Sequence, residues 1–344
     1  MKSIITGGAG FIGSNLAARL LERGDKVIIL DSLSRVGSRK NLEWLRGKGE
    51  VIFHYLDIKN YPAVREIISL HSDTEAIFHF AAQVAVTLSV KNPREDFETN
   101  ALGTFNILEA IREEGINPVL LYSSTNKVYG SLESLKVEEG EKRYYLPDYP
   151  EGIDEEFPLD FHSPYGCSKG TADQYVRDYA RIYGLKTVVL RQSCIYGPHQ
   201  FGIEDQGWVA HFVISWLLGK PITIYGNGKQ VRDLLYIDDL IDLCLLCVEK
   251  IEQVKGEIFN VGGGPENTFS LLELLDYLRE KGIKGEIKFS SPRPGDQKVF
   301  IANIGKAKDK LHWKPRVGVE EGVDKLIAWI RGNLPLIKEA INLS

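Results

Sequence analysis

Residues 2–22 read KSIITGGAGFIGSNLAARLLE: a short apolar strand, glycines at 7, 10 and 13, then an amphipathic run. The order is strand, glycine turn, helix. In such a unit Gly7 allows a tight turn, Gly10 lets the backbone approach a pyrophosphate, and Gly13 lets the helix pack closely on its strand. The helix N-terminus then presents backbone N–H groups to the anion. The spacing is GxxGxxG rather than the commoner GxGxxG, and glycine turns are frequent, so the stretch needs support from elsewhere. Asp31 supplies it. This residue follows the next apolar strand, KVIIL, about 20 residues beyond the turn, where a carboxylate accepts hydrogen bonds from ribose hydroxyls. Dinucleotide binding is expected, with NAD favoured over NADP because a ribose phosphate would meet a negative charge. Arg35 lies nearby and is read as a solvated loop arginine.

Working outward, KVIILD, VIFHY, AIFHFA, PVLLYS and KTVVLR alternate with amphipathic stretches. This is the rhythm of a parallel sheet covered on both faces. The expected class is α/β, a Rossmann-type doubly wound parallel sheet with a smaller, interleaved C-terminal substrate-binding lobe. Residues 1–192 with 234–262 are assigned to the dinucleotide-binding domain, and 193–233 with 263–344 to the lobe. Ligands of such sheets bind beyond the strand C-termini, where Asp57, Ala81, Ala82 and Ser123 to Thr125 fall. The connection from Ser131 to Pro164 is long, and its tyrosines Tyr144, Tyr145 and Tyr149 suggest an ordered cover over the site.

The chain has 344 residues and a net charge of −5 with both signs interspersed, which disfavours nucleic acid as the main partner. It shows neither an apolar run of membrane-spanning length nor a leader, so no membrane association and a cytoplasmic location are expected. Cysteines at 167, 194, 244 and 247 make no secreted disulfide framework. Cys244 and Cys247 sit in an apolar helix and are read as core residues, with no metal assigned.

SPYGCSK contains Tyr165 and Lys169, four residues apart, on one face of a helix if the segment is helical. A phenol is a poor base at neutral pH, its unperturbed pKa being about 10. A nearby ammonium stabilises the phenolate. Alone, such a pair is commonly a partly buried Tyr beside a surface Lys; the glycine turn and Asp31 change that balance.

Together GGAGFIG, Asp31, HFAAQ, YSSTNKVYG, SPYGCSK, IYGP and QVRD resemble, in their order, the extended short-chain dehydrogenases/reductases that act on nucleotide sugars, and the resemblance covers nearly the whole chain. It implies Tyr165 as the base, Lys169 as the residue lowering its pKa, and Thr125 as the hydroxyl that bonds the reacting oxygen. Implied cofactor contacts are Gly7, Gly10, Phe11, Ile12 and Gly13 in the turn, Asp31 and Ser32 after the second strand, and Asp57 and Ile58 after the third. Ala81, Ala82 and Gln83 follow from the fourth, and Asn100, Ser123, Tyr165 and Lys169 complete the implied cofactor contacts. Implied substrate contacts are Gln83, Thr87, Ser89, Thr125, Asn126, Lys127, His162, Ser193, Gln206 and Val209. Arg232 and Arg293 match positions that hold the nucleotide diphosphate or ribose, although each alone reads as a surface ion-pair residue. Many relatives have Asn where this chain has Cys194. Relatives pair through the helices that fall here near residues 93–114 and 166–183, so a homodimer or homotetramer is expected.

Sugar 4,6-dehydratases of this group carry Asp and Glu directly after their Thr, because removing water calls for an acid and a base. Here those positions are Asn126 and Lys127. A neutral amide and an ammonium cannot serve as that pair, so a reaction with transient oxidation is expected. STNKVYG, DFHSPYGCSKGTADQYVRDYARIYGL and DQGWV resemble the 2-epimerase branch, which implies inversion at carbon 2 of a CDP-linked 3,6-dideoxyhexose, CDP-paratose to CDP-tyvelose. The alternatives are a UDP-hexose 4-epimerase and a non-catalytic NAD-binding redox sensor.

Overall fold

The computed structural model describes residues 1–293 and 295–342. Seven strands form the central sheet: β1 (Lys2–Thr6), β2 (Lys26–Asp31), β3 (Val51–Tyr55), β4 (Ala76–His79), β5 (Val119–Thr125), β6 (Thr187–Gln192) and β7 (Glu257–Val261). Their spatial order is β7-β6-β5-β4-β1-β2-β3, and every pairing is parallel. Side chains alternate across such a sheet. On one face Ile4 and Ile28 join Val64, Ile107, Tyr122 and Val176; on the other Ile5 and Ile29 join Leu16, Leu20 and Phe78. The chain reverses direction across the sheet between β1 and β4, which opens a crevice at their C-terminal ends. The expected Rossmann-type class is the observed one.

The first five strands and β6 follow the apolar runs of the sequence, and EIFNV returns beside β6 as β7. A second sheet is built around Val231–Tyr236, which pairs in parallel with Cys194–Tyr196 and Val299–Phe300 and antiparallel with Thr268–Ser270. Ile222–Tyr225 and Ile287–Ser290 form a separate parallel pair. Cys244 and Cys247 are buried in the core, as read from the sequence. Among the described residues no helix is long and apolar enough to cross a membrane.

The segment from Ser131 to Pro164 departs from its expected place. Leu132, Leu146 and Ile153 bury against Val231, Val299 and Phe300 in a third apolar cluster. Arg143 forks onto Glu273 (2.7 and 2.6 Å), and Glu273 also completes a capping box with Ser270. No residue of this segment lines the site cavity. Apolar burial and the Arg143 fork fasten it to the smaller sheet, so it braces that sheet and does not cover the site.

Candidate active site

A cavity of about 630 Å³ opens at the crevice, reaching from the glycine turn to the start of the Trp208–Leu217 helix. The glycine turn lies at one end of it. Gly7 has φ +67°, and a Cβ there would stand 2.7 Å from the Ala81 nitrogen. A Cβ on Gly13 would stand 2.3 Å from the Gly7 carbonyl oxygen, so any side chain would push the Phe11–Glu22 helix off β1. No side chain caps that helix's N-terminus at Gly10, which leaves the end open to an anion. Asp31 is buried and accepts from the backbone N–H groups of Ala9 (3.0 Å) and Leu33 (2.7 Å). Burial raises its pKa, opposed by those N–H groups. Gly10, Phe11, Ile12, Ser32, Asp57, Ile58, Ala81, Ala82 and Ser123 also line the cavity. These residues fit a dinucleotide: a Cβ-free turn, an uncapped helix end, and a carboxylate held in place beyond it.

Replacing Asp31 with Ala is expected to weaken NAD relative to NADP. Titration of both dinucleotides by protein fluorescence or calorimetry tests this; an unchanged preference means that the ribose is read elsewhere.

The reacting end combines β5 with the Ser163–Tyr183 helix. Thr125 ends the strand, and its hydroxyl accepts from the Lys127 N–H (3.2 Å). Tyr165 and Lys169 both line the cavity and are buried. In the protein alone, burial dominates the ionisation of both groups. Burial pushes Tyr165 up to about 12, with the Thr125 hydroxyl working in the opposite direction. Burial likewise pushes Lys169 down to about 7, opposed by Asp173 and Asp96. Its amine donates to the Ser123 carbonyl (2.5 Å). Desolvation dominates both groups, and it is set by packing.

The Ser163–Tyr183 helix is fixed by buried polar contacts. Asp173 receives two hydrogen bonds from Arg191 on β6 (2.9 and 3.0 Å) and one from Ser124 on β5 (2.7 Å). Arg191 also donates to the Tyr129 hydroxyl (3.0 Å), which donates to Asn260 (2.7 Å).

Asn126, Lys127, Ser193, Gln206 and Val209 line the cavity beyond Thr125. Burial pushes the Lys127 amine down to about 8, opposed by Asp296 at 3.7 Å. Other expected contacts are placed elsewhere. Gln83 turns its amide onto Asp96 (2.7 Å) and the Ala85 carbonyl (2.9 Å), and Asn100 ties Gln83, Asp96 and Ser168 together from a π-helical turn. Neither residue lines the cavity, and each spends its amide on internal contacts. Ser89 accepts from the Tyr165 N–H (3.1 Å) and so caps the helix bearing the phenol. Thr87 keeps a buried hydroxyl without a partner, and His162 is exposed against Gly295.

Arg232 and Arg293 also stand outside the lining. Arg232 donates to Asp296 (2.6 Å) and the Val231 carbonyl (2.8 Å). Arg293 lies over the Tyr225 ring (4.1 Å to its centre), bonded to the Glu204 carbonyl (3.2 Å) and 3.5 Å from Asp205. Each guanidinium group has a carboxylate nearby.

Some lining residues escaped the sequence reading. Arg35 is not a solvated loop residue: it lines the cavity and donates to Gln206 (3.4 Å). Gln192, Gln200 and Trp208 also line it, and the Gln192 Nε2 and Gln200 Oε1 atoms are buried without partners. Unpaired buried polar atoms in a cavity wall suit a polar ligand. The signal for Gln192 was available, since it ends β6 on the C-terminal side of the sheet. Cys194, read as packing, lines the cavity too.

A model of the family described as GDP-mannose 4,6 dehydratase matches residues 4–326. CDP-paratose 2-epimerase of Salmonella typhi is 47% identical over 336 residues, which span 96% of this chain and 99% of that protein. Among solved structures, UDP-glucose 4-epimerase of Thermotoga maritima with UDP-glucose is 34% identical with a TM-score of 0.83, covering 97% of this chain and 100% of that one. DesIV, a dTDP-glucose 4,6-dehydratase of Streptomyces venezuelae with NAD and TYD bound, is 29% identical with a TM-score of 0.83, covering 99% and 100%. The chain belongs to the GDP-mannose 4,6 dehydratase family, within the extended short-chain dehydrogenases/reductases.

Proposed function

We propose that this protein is an NAD-dependent nucleotide-sugar epimerase that inverts carbon 2 of a CDP-linked 3,6-dideoxyhexose, converting CDP-paratose to CDP-tyvelose. The observation that carries the reading is a single cavity lined by the glycine turn, Asp31, Thr125, Tyr165 and Lys169 and, after Thr125, by Asn126 and Lys127 where dehydration would need two carboxyl groups. The choice of carbon 2 and of the cytidine nucleotide rests on the 47% identity to CDP-paratose 2-epimerase.

NAD, when bound, supplies a hydride acceptor that each turnover regenerates. Tyr165 takes the proton of the sugar hydroxyl and returns it to the same oxygen once the ketone has turned its other face. Thr125 orients that oxygen, and Lys169 as ammonium favours the phenolate. Arg232 and Arg293 reach the diphosphate by exchanging Asp296 and Asp205 for it. Exposed Phe97, Leu102, Tyr175, Ile182 and Tyr183 lie on the two helical segments through which we propose that copies pair.

The test is CDP-paratose carrying deuterium at carbon 2, with proton NMR of the product. Inversion with the label retained is expected. Washout of the label into solvent would refute transient oxidation at that carbon, and inversion at carbon 4 of a UDP-hexose in place of this reaction would favour the 4-epimerase, which the Thermotoga maritima structure makes the second reading.

A further inference from the structure

β5 and the Ser163–Tyr183 helix meet in two matched rungs. Tyr122 and Ser124, two residues apart, project from one side of the strand, and Lys169 and Asp173, four apart, share one face of the helix. Ser124 donates to Asp173. On the other rung the Lys169 ammonium stands over the Tyr122 ring, 4.4 Å from its centre. The Tyr122 side chain is 1% exposed, and its hydroxyl donates to the Lys169 carbonyl (3.4 Å). One ring thus touches both ends of the same residue.

We propose that Tyr122 is a positioning residue for Lys169: its ring face holds the ammonium at the cavity wall and keeps it charged despite its burial. The physical need is specific. Among the described residues the amine donates only to the Ser123 carbonyl, and burial disfavours its charge. The charged or titratable groups around it are Asp96, Asp173, Tyr165 and His79. The carboxylates favour the ammonium. His79 is held neutral by burial, its pKa pushed down to about 3, and between Thr6 (2.6 Å) and Thr104 (2.9 Å) it adds no charge. An aromatic face attracts a cation more strongly as it is desolvated, and Lys169 is buried, so the ring offsets part of that desolvation. The consequence for turnover rests on the role of Lys169 proposed above; the placement of the amine does not.

The test needs no substrate. Competitive acetylation of the purified protein by trace acetic anhydride, read by mass spectrometry of the peptide bearing Lys169, gives the amine's titration midpoint. Tyr122→Phe, which keeps the ring, is expected to titrate like the wild type. Tyr122→Leu and Tyr122→Met, which remove it, are expected to titrate about one pH unit lower. An unchanged midpoint in either folded variant would overturn the proposal, as would an equal shift in the Phe variant. In the wild type itself the ring current should move the Lys169 ε-methylene protons upfield, and an ordinary shift there would overturn it whether or not the variants fold. An active enzyme needs the ammonium, which is lost as pH rises through its pKa, so the basic limb of kcat should move to lower pH in the Leu variant. A shifted midpoint in a protein that turns over no nucleotide sugar would count against the proposed function and leave this inference standing.

Discussion

Replacing Tyr165 with Phe is expected to reduce kcat by between about 100- and 10,000-fold while NAD remains bound. The change deletes one oxygen from a buried ring and leaves its packing in place. It removes the proposed proton acceptor at the end of the cavity shared with Thr125 and Lys169. None of the groups at the other end is touched: the Gly7 turn, the uncapped helix end at Gly10 and the Asp31 carboxylate bonded to Ala9 and Leu33 are unchanged. Burial alone pushes this phenol up to about 12, so the bound state must favour the phenolate for the residue to act near neutral pH. Steady-state assay and dinucleotide content of the purified variant check both halves. Turnover near the wild-type rate would remove Tyr165 as the base, and loss of NAD would make it a binding residue first.

The largest stability effect is expected at Asp173. The pair it forms with Arg191 is fully enclosed, at 0% and 2% side-chain exposure, and bidentate. Deleting one partner of such a pair costs about 3–5 kcal/mol, because the other charge stays buried without its counter-ion. Asp173→Ala should therefore lose about that much in urea unfolding. Asp173→Ala with Arg191→Met should recover part of it, since an apolar replacement of both removes the unpaired charge. The Tyr129 hydroxyl keeps its bond to Asn260 in that double variant. A single variant within about 1 kcal/mol of the wild type would mean that water reaches the site and that the pair does not anchor the helix. Because this helix carries Tyr165 and Lys169, kcat should fall along with stability.

The features legible in the sequence are those set by neighbours along the chain. The glycine turn could be read because φ at Gly7 and the approach at Gly13 are decided within one strand-turn-helix unit. Strand ends could be read because a parallel sheet gathers its C-termini at one edge, which brought Asp31, Asp57, Ala81, Ser123 and Thr125 to one cavity. The helical spacing of Tyr165 and Lys169 was equally local.

What each side chain does inside that frame was decided by distant partners. Ser89 caps the helix of Tyr165 across 76 positions. Gln83 and Asn100 spend their amides on each other's neighbourhood. Arg35 meets Gln206 across 171 positions and is drawn to the cavity instead of solvent. The stretch after Ser131, long enough to suggest a lid, finds an apolar partner in Val231 and Phe300 and becomes a brace. The ionisation of Tyr165 and Lys169 belongs with these, since desolvation depends on what packs around a group and residue type says nothing of that. Periodicity and backbone freedom are properties of the chain; burial and the choice of counter-ion exist only once remote segments have met.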